Sequence, residues 1–231
     1  MEVSDSLSLI VPAFNEEASI AEAIAINLEV LNKCGIPFEL IIIDDGSRDR
    51  TKEIIEKQFL PNSNIIFFSK PNGGFGSAVK KGIELSKMKY IMFAPVDNPL
   101  DSELLSLFLS HIGKADLLIS YRVAREGYSS RMKINSSVYQ KLISFLFGLN
   151  LKDYNWIHLY KRSIFEKDVT IHYGGVFMLA EVIIKAKRAG YTFFEFPVTM
   201  QARKYGNQTA ASFKAAWRAF RDVIKFFIFK T

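Results

Sequence analysis

The sequence predicts an α/β domain with a mostly parallel central sheet and helices on both faces. Two observations carry this expectation. Short β-rich apolar runs alternate with helix-spaced segments over the first half of the chain. The runs end in Asp, Asn, Gly and Pro, the residues of turns and caps. Alternation of this kind builds right-handed βαβ units.

The elements follow in order. Leu7–Val11 is a continuous apolar strand. From Glu16, the residues Ile20, Ile24, Leu28 and Leu31 recur at helical spacing. Phe38–Ile43 is a second buried strand. Asp49 is placed to cap a helix that buries Ile54, Ile55 and Phe59. Asn64–Phe68 is a third strand, and Lys70–Gly76 a glycine-bearing loop before a helix reaching about Lys87. Strand Tyr90–Phe93, a turn at Pro95 to Pro99, helix Asp101–Ile112 and strand Asp116–Ser120 close the series. After Tyr121 the rhythm breaks. Arg122–Lys133 reads as a polar loop and Ile134–Leu149 as an apolar helix. Strands return at Ile157–Tyr160 and Phe193–Val198, around a helix near Val176–Ala189.

Composition narrows the class. The chain has 231 residues, 49% hydrophobic and 23% charged, which suits one globular domain and not a disordered chain. The single Cys34 excludes an intramolecular disulfide framework and a Cys-rich zinc site. His111, His158 and His172 share no metal-ligand spacing. No run approaches the ~18–20 apolar residues of a transmembrane helix. The N-terminal run lacks a basic region, so no secretory signal is expected.

In open α/β sheets ligands bind beyond the carboxyl ends of the strands. Here those ends carry Pro12-Ala13-Phe14-Asn15-Glu16-Glu17, Asp44-Asp45-Gly46-Ser47, Asn72-Gly73-Gly74-Phe75-Gly76, Pro95-Val96-Asp97-Asn98 and Tyr121-Arg122. So many polar strand ends exceed what turns and caps require. Gly74-Phe75-Gly76 lacks the third glycine of a dinucleotide fingerprint and follows the third strand, which argues against a nicotinamide dehydrogenase. Its backbone N–H groups remain a possible cradle for phosphate or sugar.

These segments resemble family 2 glycosyltransferases, whose GT-A fold is a Rossmann-like sheet for a nucleotide sugar. The resemblance rests on the first three blocks. Tyr121-Arg122, Asp153-Tyr154-Asn155, Glu181, Ala189-Gly190-Tyr191, Phe196-Pro197-Val198 and Arg203-Lys204-Tyr205-Gly206-Asn207 narrow it to the polyprenyl-phosphate branch, typified by dolichyl-phosphate mannose synthases. It covers roughly residues 7–210, an expected catalytic domain of residues 1–210.

The resemblance implies a donor nucleotide, UDP- or GDP-linked, among Pro12, Ala13, Phe14, Glu16, Asp44, Asp45, Gly76, Lys80 and Val96. Carboxylates accept hydrogen bonds from a base or ribose, and Pro12 and Phe14 offer an apolar wall. It implies Asp97 as ligand to Mg²⁺ or Mn²⁺, although Pro95 stands where the family's Asp-x-Asp has its first carboxylate. Arg122, Arg131 and Arg203 are candidates to gather phosphates. Asp153 is the candidate base for a hydroxyl acceptor, while a lipid phosphate acceptor needs none. Glu181, in an apolar helix, needs a partner. The resemblance implies transfer to polyprenyl phosphate with inversion. Transfer to a sugar hydroxyl of a glycan or glycolipid, and a non-catalytic nucleotide-sugar-binding subunit, are the alternatives.

The charge is unevenly placed. From Arg203 to Thr231 seven basic residues face one acid, which equals the whole-chain excess of +6. Within residues 211–231, Phe213, Trp217, Phe220, Ile224, Phe227 and Ile228 form one helical stripe beside Lys214, Arg218, Arg221 and Lys225. This amphipathic helix suits peripheral contact with the cytoplasmic face of a membrane. No nucleic acid is expected, because the aromatics do not interleave with the basic residues.

Overall fold

The computed structural model describes residues 4–123, 130–175, 177–199 and 213–229. Seven strands, β1 (Leu7–Ala13), β2 (Phe38–Asp44), β3 (Ile65–Ser69), β4 (Tyr90–Phe93), β5 (Leu117–Arg122), β6 (His158–Lys161) and β7 (Phe193–Val198), form one sheet. Their order is β3-β2-β1-β4-β6-β5-β7. All pairings are parallel except those of β6, which runs antiparallel to both β4 and β5. The expected series therefore breaks one element early. β5 does not extend the parallel run from β4, because β6 is inserted between them.

Helices α1 (Ile20–Asn32), α2 (Thr51–Gln58) and α4 (Ser102–Ser110) cover one face. Helices α3 (Phe75–Leu85), α5 (Ser130–Phe147), α7 (Phe177–Arg188) and α8 (Phe213–Phe229) cover the other, and α6 (Ser163–Lys167) is a short turn after β6. The strands at the centre are apolar on both faces, as a doubly covered parallel sheet requires. Ile10, Ile41 and Ile43 face α3, while Leu9, Val11, Leu40 and Ile42 face α1 and α2. Asp101 caps α4, its carboxylate accepting from the Glu103 and Leu104 N–H groups at 2.9 and 3.1 Å.

α8 packs on α5 and α7 through Ala219, Val223 and Phe226. Phe226 meets Phe147, Tyr173 and Phe177 in one aromatic cluster. This is not the stripe the sequence singles out. Trp217, Phe220, Phe227 and Ile228 stay exposed, with Trp217 at 62%. The helix thus carries two apolar faces, and the domain buries one of them.

Candidate active site

Two of the sequence blocks prove to be one structure. Register Ala13↔Asp44 places the ends of β1 and β2 side by side. Asn15 adopts a positive φ of 56°, which Asn tolerates better than most residues. Its N–H donates to Ser47 Oγ at 2.9 Å, and its Oδ1 accepts from the Arg48 N–H at 2.8 Å. The Glu16 N–H donates to Thr51 Oγ1 at 2.7 Å, and the Glu17 N–H to Asp49 Oδ2 at 3.1 Å. Asp49 also accepts from the Thr51 N–H at 3.0 Å, so it secures the start of α2 and ties it to the β1 loop.

The paired carboxylates after β2 divide their work. Asp44 accepts from the Ser47 N–H at 3.0 Å and from Ser69 Oγ at 2.7 Å. Asp45 accepts from the Gly73 and Gly74 N–H groups at 3.0 and 2.7 Å and pairs with Lys70 Nζ. Both are almost fully buried. Two N–H groups of the glycine-bearing loop, those of Gly73 and Gly74, therefore point to Asp45. Gly76 is a packing glycine: a Cβ there would lie 2.7 Å from Gly174 Cα and from the Tyr173 carbonyl oxygen. The 173–174 turn is itself held by Glu181. That carboxylate is fully buried and accepts from the His172 and Tyr173 N–H groups, both at 2.9 Å, and from Lys185 Nζ at 2.8 Å. Glu181 thus pairs with a lysine and two backbone donors, and its role is to hold the loop.

Around the cleft, Phe14 is 43% exposed, Pro12 and Glu16 are half-buried, and Ala13 and Val96 are buried. Lys80 is exposed on α3. The Glu16 carboxyl is raised above its ordinary value by burial and by the charges of Asp97 and Asp49, against the hydrogen bond from Ser19. The charge of Asp97, which follows β4, is thus felt at Glu16, which follows β1. Asn27, buried on α1, accepts from the Leu100 N–H at 2.8 Å and so anchors the segment that follows Asp97. A polar residue on the apolar stripe of α1 was the available signal for it.

Arg122 and Asp153 meet. Arg122 Nε lies 2.7 Å from Asp153 Oδ2, with side chains 5% and 2% exposed. The guanidinium also stands 4.7 Å over the Trp156 ring. Asp153 Oδ1 accepts from the Asn155 N–H at 3.1 Å. Between β4 and this segment lies a cleft lined by Phe75, Phe93, Pro95, Asn98, Trp156 and His158, among others. Arg131 belongs to α5, but its side chain and the whole of Arg203 lie outside the described residues.

Residues 8–174 match the glycosyl transferase family 2 profile, "Glycosyl transferase family 2". The chain belongs to this family. It is 41% identical over 101 residues to a dolichyl-phosphate beta-glucosyltransferase of Dictyostelium discoideum, covering 39% of this chain and 30% of the relative. It is 28% identical over 179 residues to an undecaprenyl-phosphate 4-deoxy-4-formamido-L-arabinose transferase of Shewanella sediminis, covering 75% and 54%. The chain thus spans about half or less of the length of these curated relatives. Among solved structures, glucosyl-3-phosphoglycerate synthase of Mycobacterium tuberculosis, in complex with Mn²⁺, UDP and phosphoglyceric acid, superposes with TM-score 0.73 at 17% identity, covering 97% of this chain and 79% of that one. The family 2 chain therefore has the GT-A fold.

Among the described residues, no group of three or more His, Cys, Asp or Glu side chains converges to cage a metal. Asp97 with Glu16 nearby fits a cation that shares its ligands with a diphosphate, since Mg²⁺ commonly takes one or two carboxylates and keeps substrate phosphates and water.

Proposed function

We propose that the protein transfers a sugar from a nucleotide-diphosphate sugar to a polyprenyl phosphate, with inversion. The observation that carries this reading is the buried Arg122–Asp153 pair. It engages the carboxylate that would serve as base for a hydroxyl acceptor. A phosphate acceptor is largely ionised at neutral pH and needs no base. Relatives that act on dolichyl and undecaprenyl phosphates support the same choice.

In this reading the donor nucleotide lies along Pro12, Phe14 and Glu16, with Asp44 and Asp45 shaping the loops beneath it. An oxygen of the lipid phosphate forms a bond to the anomeric carbon from the face opposite the leaving group. The bond from that carbon to the diphosphate breaks, and the nucleoside diphosphate departs with the electron pair. Holding both reactants in line supplies much of the rate. Asp97 would hold the divalent cation, which when bound neutralises the diphosphate charge. Arg131 and Arg203 are the candidates to gather acceptor phosphate.

The acceptor resides in a membrane, and α8 gives the protein a way to reach it. No described helix is long and apolar enough to cross one. Since α8 packs through Ala219, Val223 and Phe226, its second apolar face and the adjacent Arg218, Arg221 and Lys225 remain open. Apolar surface beside basic residues suits an anionic lipid interface. Residues 211–231 would then be the membrane-facing end of a catalytic domain formed by residues 1–210.

The test is a thermal-shift screen of UDP, GDP, dTDP and CMP sugars with and without Mg²⁺ or Mn²⁺. The stabilising donor, labelled in its sugar, is then offered polyprenyl phosphate and a glycan hydroxyl in parallel. Label entering only the glycan, or a retained anomeric configuration by NMR, would overturn the reading.

A further inference from the structure

We propose that Tyr173 is a positioning residue for the transfer reaction. It carries the seating of α8 and the grip of Glu181 to Phe75, in the wall of the cleft that Pro95, Asn98 and Trp156 also line. This rests on the transfer reading above.

Tyr173 makes three kinds of contact. Its N–H donates to Glu181 Oε2 at 2.9 Å. Its ring stands edge-on to Phe226 of α8, with centroids 6.0 Å apart, and to Phe177 of α7 at 5.3 Å. Its carbonyl oxygen lies against Gly76, where a Cβ would come within 2.7 Å of it. Lys185 closes the circuit. Its Nζ donates to Glu181 at 2.8 Å and stands 5.6 Å over the Phe226 ring. Tyr173 is thus the place where α7, α8 and the start of α3 meet.

The contact with Gly76 matters because Phe75 precedes it. On one side of Phe75 the backbone is fixed by Asp45, which accepts from the Gly73 and Gly74 N–H groups at 3.0 and 2.7 Å. On the other it is fixed by the Tyr173 carbonyl and Gly174. These are backbone contacts, with no flexible side chain to absorb a shift. Phe75 opens α3 and lines the cleft together with Leu179 of α7, two residues before Glu181. The wall is therefore built from elements that Tyr173 joins. A misplacement of about 1 Å caused far from the chemistry costs up to about 10²-fold in rate. In the transfer reading the nucleotide lies elsewhere, along Pro12, Phe14 and Glu16. Disturbing Tyr173 should therefore lower turnover and spare nucleotide binding.

The test reads the wall first and turnover second. The chain has two tryptophans, Trp156 in the cleft and Trp217 exposed on α8. In the full chain carrying Trp217→Phe, acrylamide quenching of fluorescence reports Trp156 alone. Tyr173→Ala and Phe226→Ala are each expected to raise the quenching constant about twofold or more, as a loosened wall admits the quencher. Tyr173→Phe keeps the ring and should leave it unchanged. Turnover is then measured with the nucleotide sugar that gives the largest thermal shift and with farnesyl phosphate, an acceptor that needs no vesicle. In both alanine variants kcat is expected to fall about tenfold or more. The Kd of the free nucleoside diphosphate and the number of calorimetric sites stay those of the parent, whereas simple unfolding would lower the number of sites in step with kcat. The proposal is overturned if Tyr173→Ala matches the parent in quenching and kcat, or if Tyr173→Phe loses as much as Tyr173→Ala. Should Tyr173→Ala fail to fold, Tyr173→Leu, which keeps apolar bulk without the ring, decides by the same measurements. Failure of the transfer reading looks different: no nucleoside diphosphate binds, while the quenching constants still answer for Tyr173.

Discussion

The guanidinium of Arg122 and the carboxylate of Asp153 form a 2.7 Å ion pair with almost no exposure on either side. Removing one partner of a buried pair leaves a charge without compensation and costs about 3–5 kcal/mol. Asp153→Asn and Arg122→Met are each expected to lower stability by that order in urea unfolding. The double replacement Arg122→Met with Asp153→Leu is expected to cost less than the sum. If Asp153→Asn unfolds at the parent urea midpoint, the pair does not hold the 153–158 segment.

Asp97 is half-buried and lies between Pro95 and Asn98, which line the cleft, so its removal should touch chemistry more than folding. Asp97→Ala is expected to reduce kcat by about 10²-fold or more, the range for losing one group that stabilises developing charge. Its melting temperature should stay near that of the parent. Full turnover in this variant would remove the mechanistic assignment. Donor binding without turnover in the parent protein would instead favour a non-catalytic binding subunit.

Gly76 lies against a neighbouring backbone, not a side chain that can swing away. Gly76→Ala would press its Cβ on Gly174 and Tyr173, for an expected loss of about 1–3 kcal/mol. Because Glu181 fixes that turn from beneath, Glu181→Gln should partly relieve the clash. A double-mutant cycle by thermal unfolding measures this coupling, and strict additivity would show that the two positions do not communicate.

These variants also mark how far the sequence could be read. The parallel half was legible because period and length separate buried strands from amphipathic helices there. Phe193–Val198 was bounded correctly even in the irregular half. The order of strands was not legible, since hydrophobic pattern says nothing of which strand inserts beside β4. Strand-end carboxylates were recognisable as a set, but their division of labour was not. Asp45 turns to backbone N–H groups 28 and 29 residues away, and Arg122 finds Asp153 at a separation of 31. Such partners are tertiary facts. The face by which α8 joins the domain, Ala219, Val223 and Phe226, was not legible for a related reason: a helix with two apolar faces does not say which one the domain will take.

That second face makes α8 testable. At a vesicle surface containing anionic lipid, each basic residue contributes roughly 1 kcal/mol. Arg218→Glu, Arg221→Glu and Lys225→Glu are therefore each expected to weaken sedimentation with such vesicles by about fivefold or more, and Trp217→Ala to weaken it with neutral vesicles too. High salt should reduce the first effect and spare the second. Equal pelleting of all four variants would assign this face to something other than a membrane.

His158 gives the fold a pH signature. Burial lowers its pKa from 6.5 to about 4, so between those values the unfolded chain takes up a proton that the folded protein refuses. The contribution to stability is complete above about 6.5. It is lost progressively as pH falls through the folded-state value, in total on the order of 3 kcal/mol. His158→Asn has no titrating ring, so its urea midpoint should fall less steeply between pH 7 and about 4 than that of the parent. Parallel curves for the two proteins would mean that burial does not lower the pKa of the ring in the folded state.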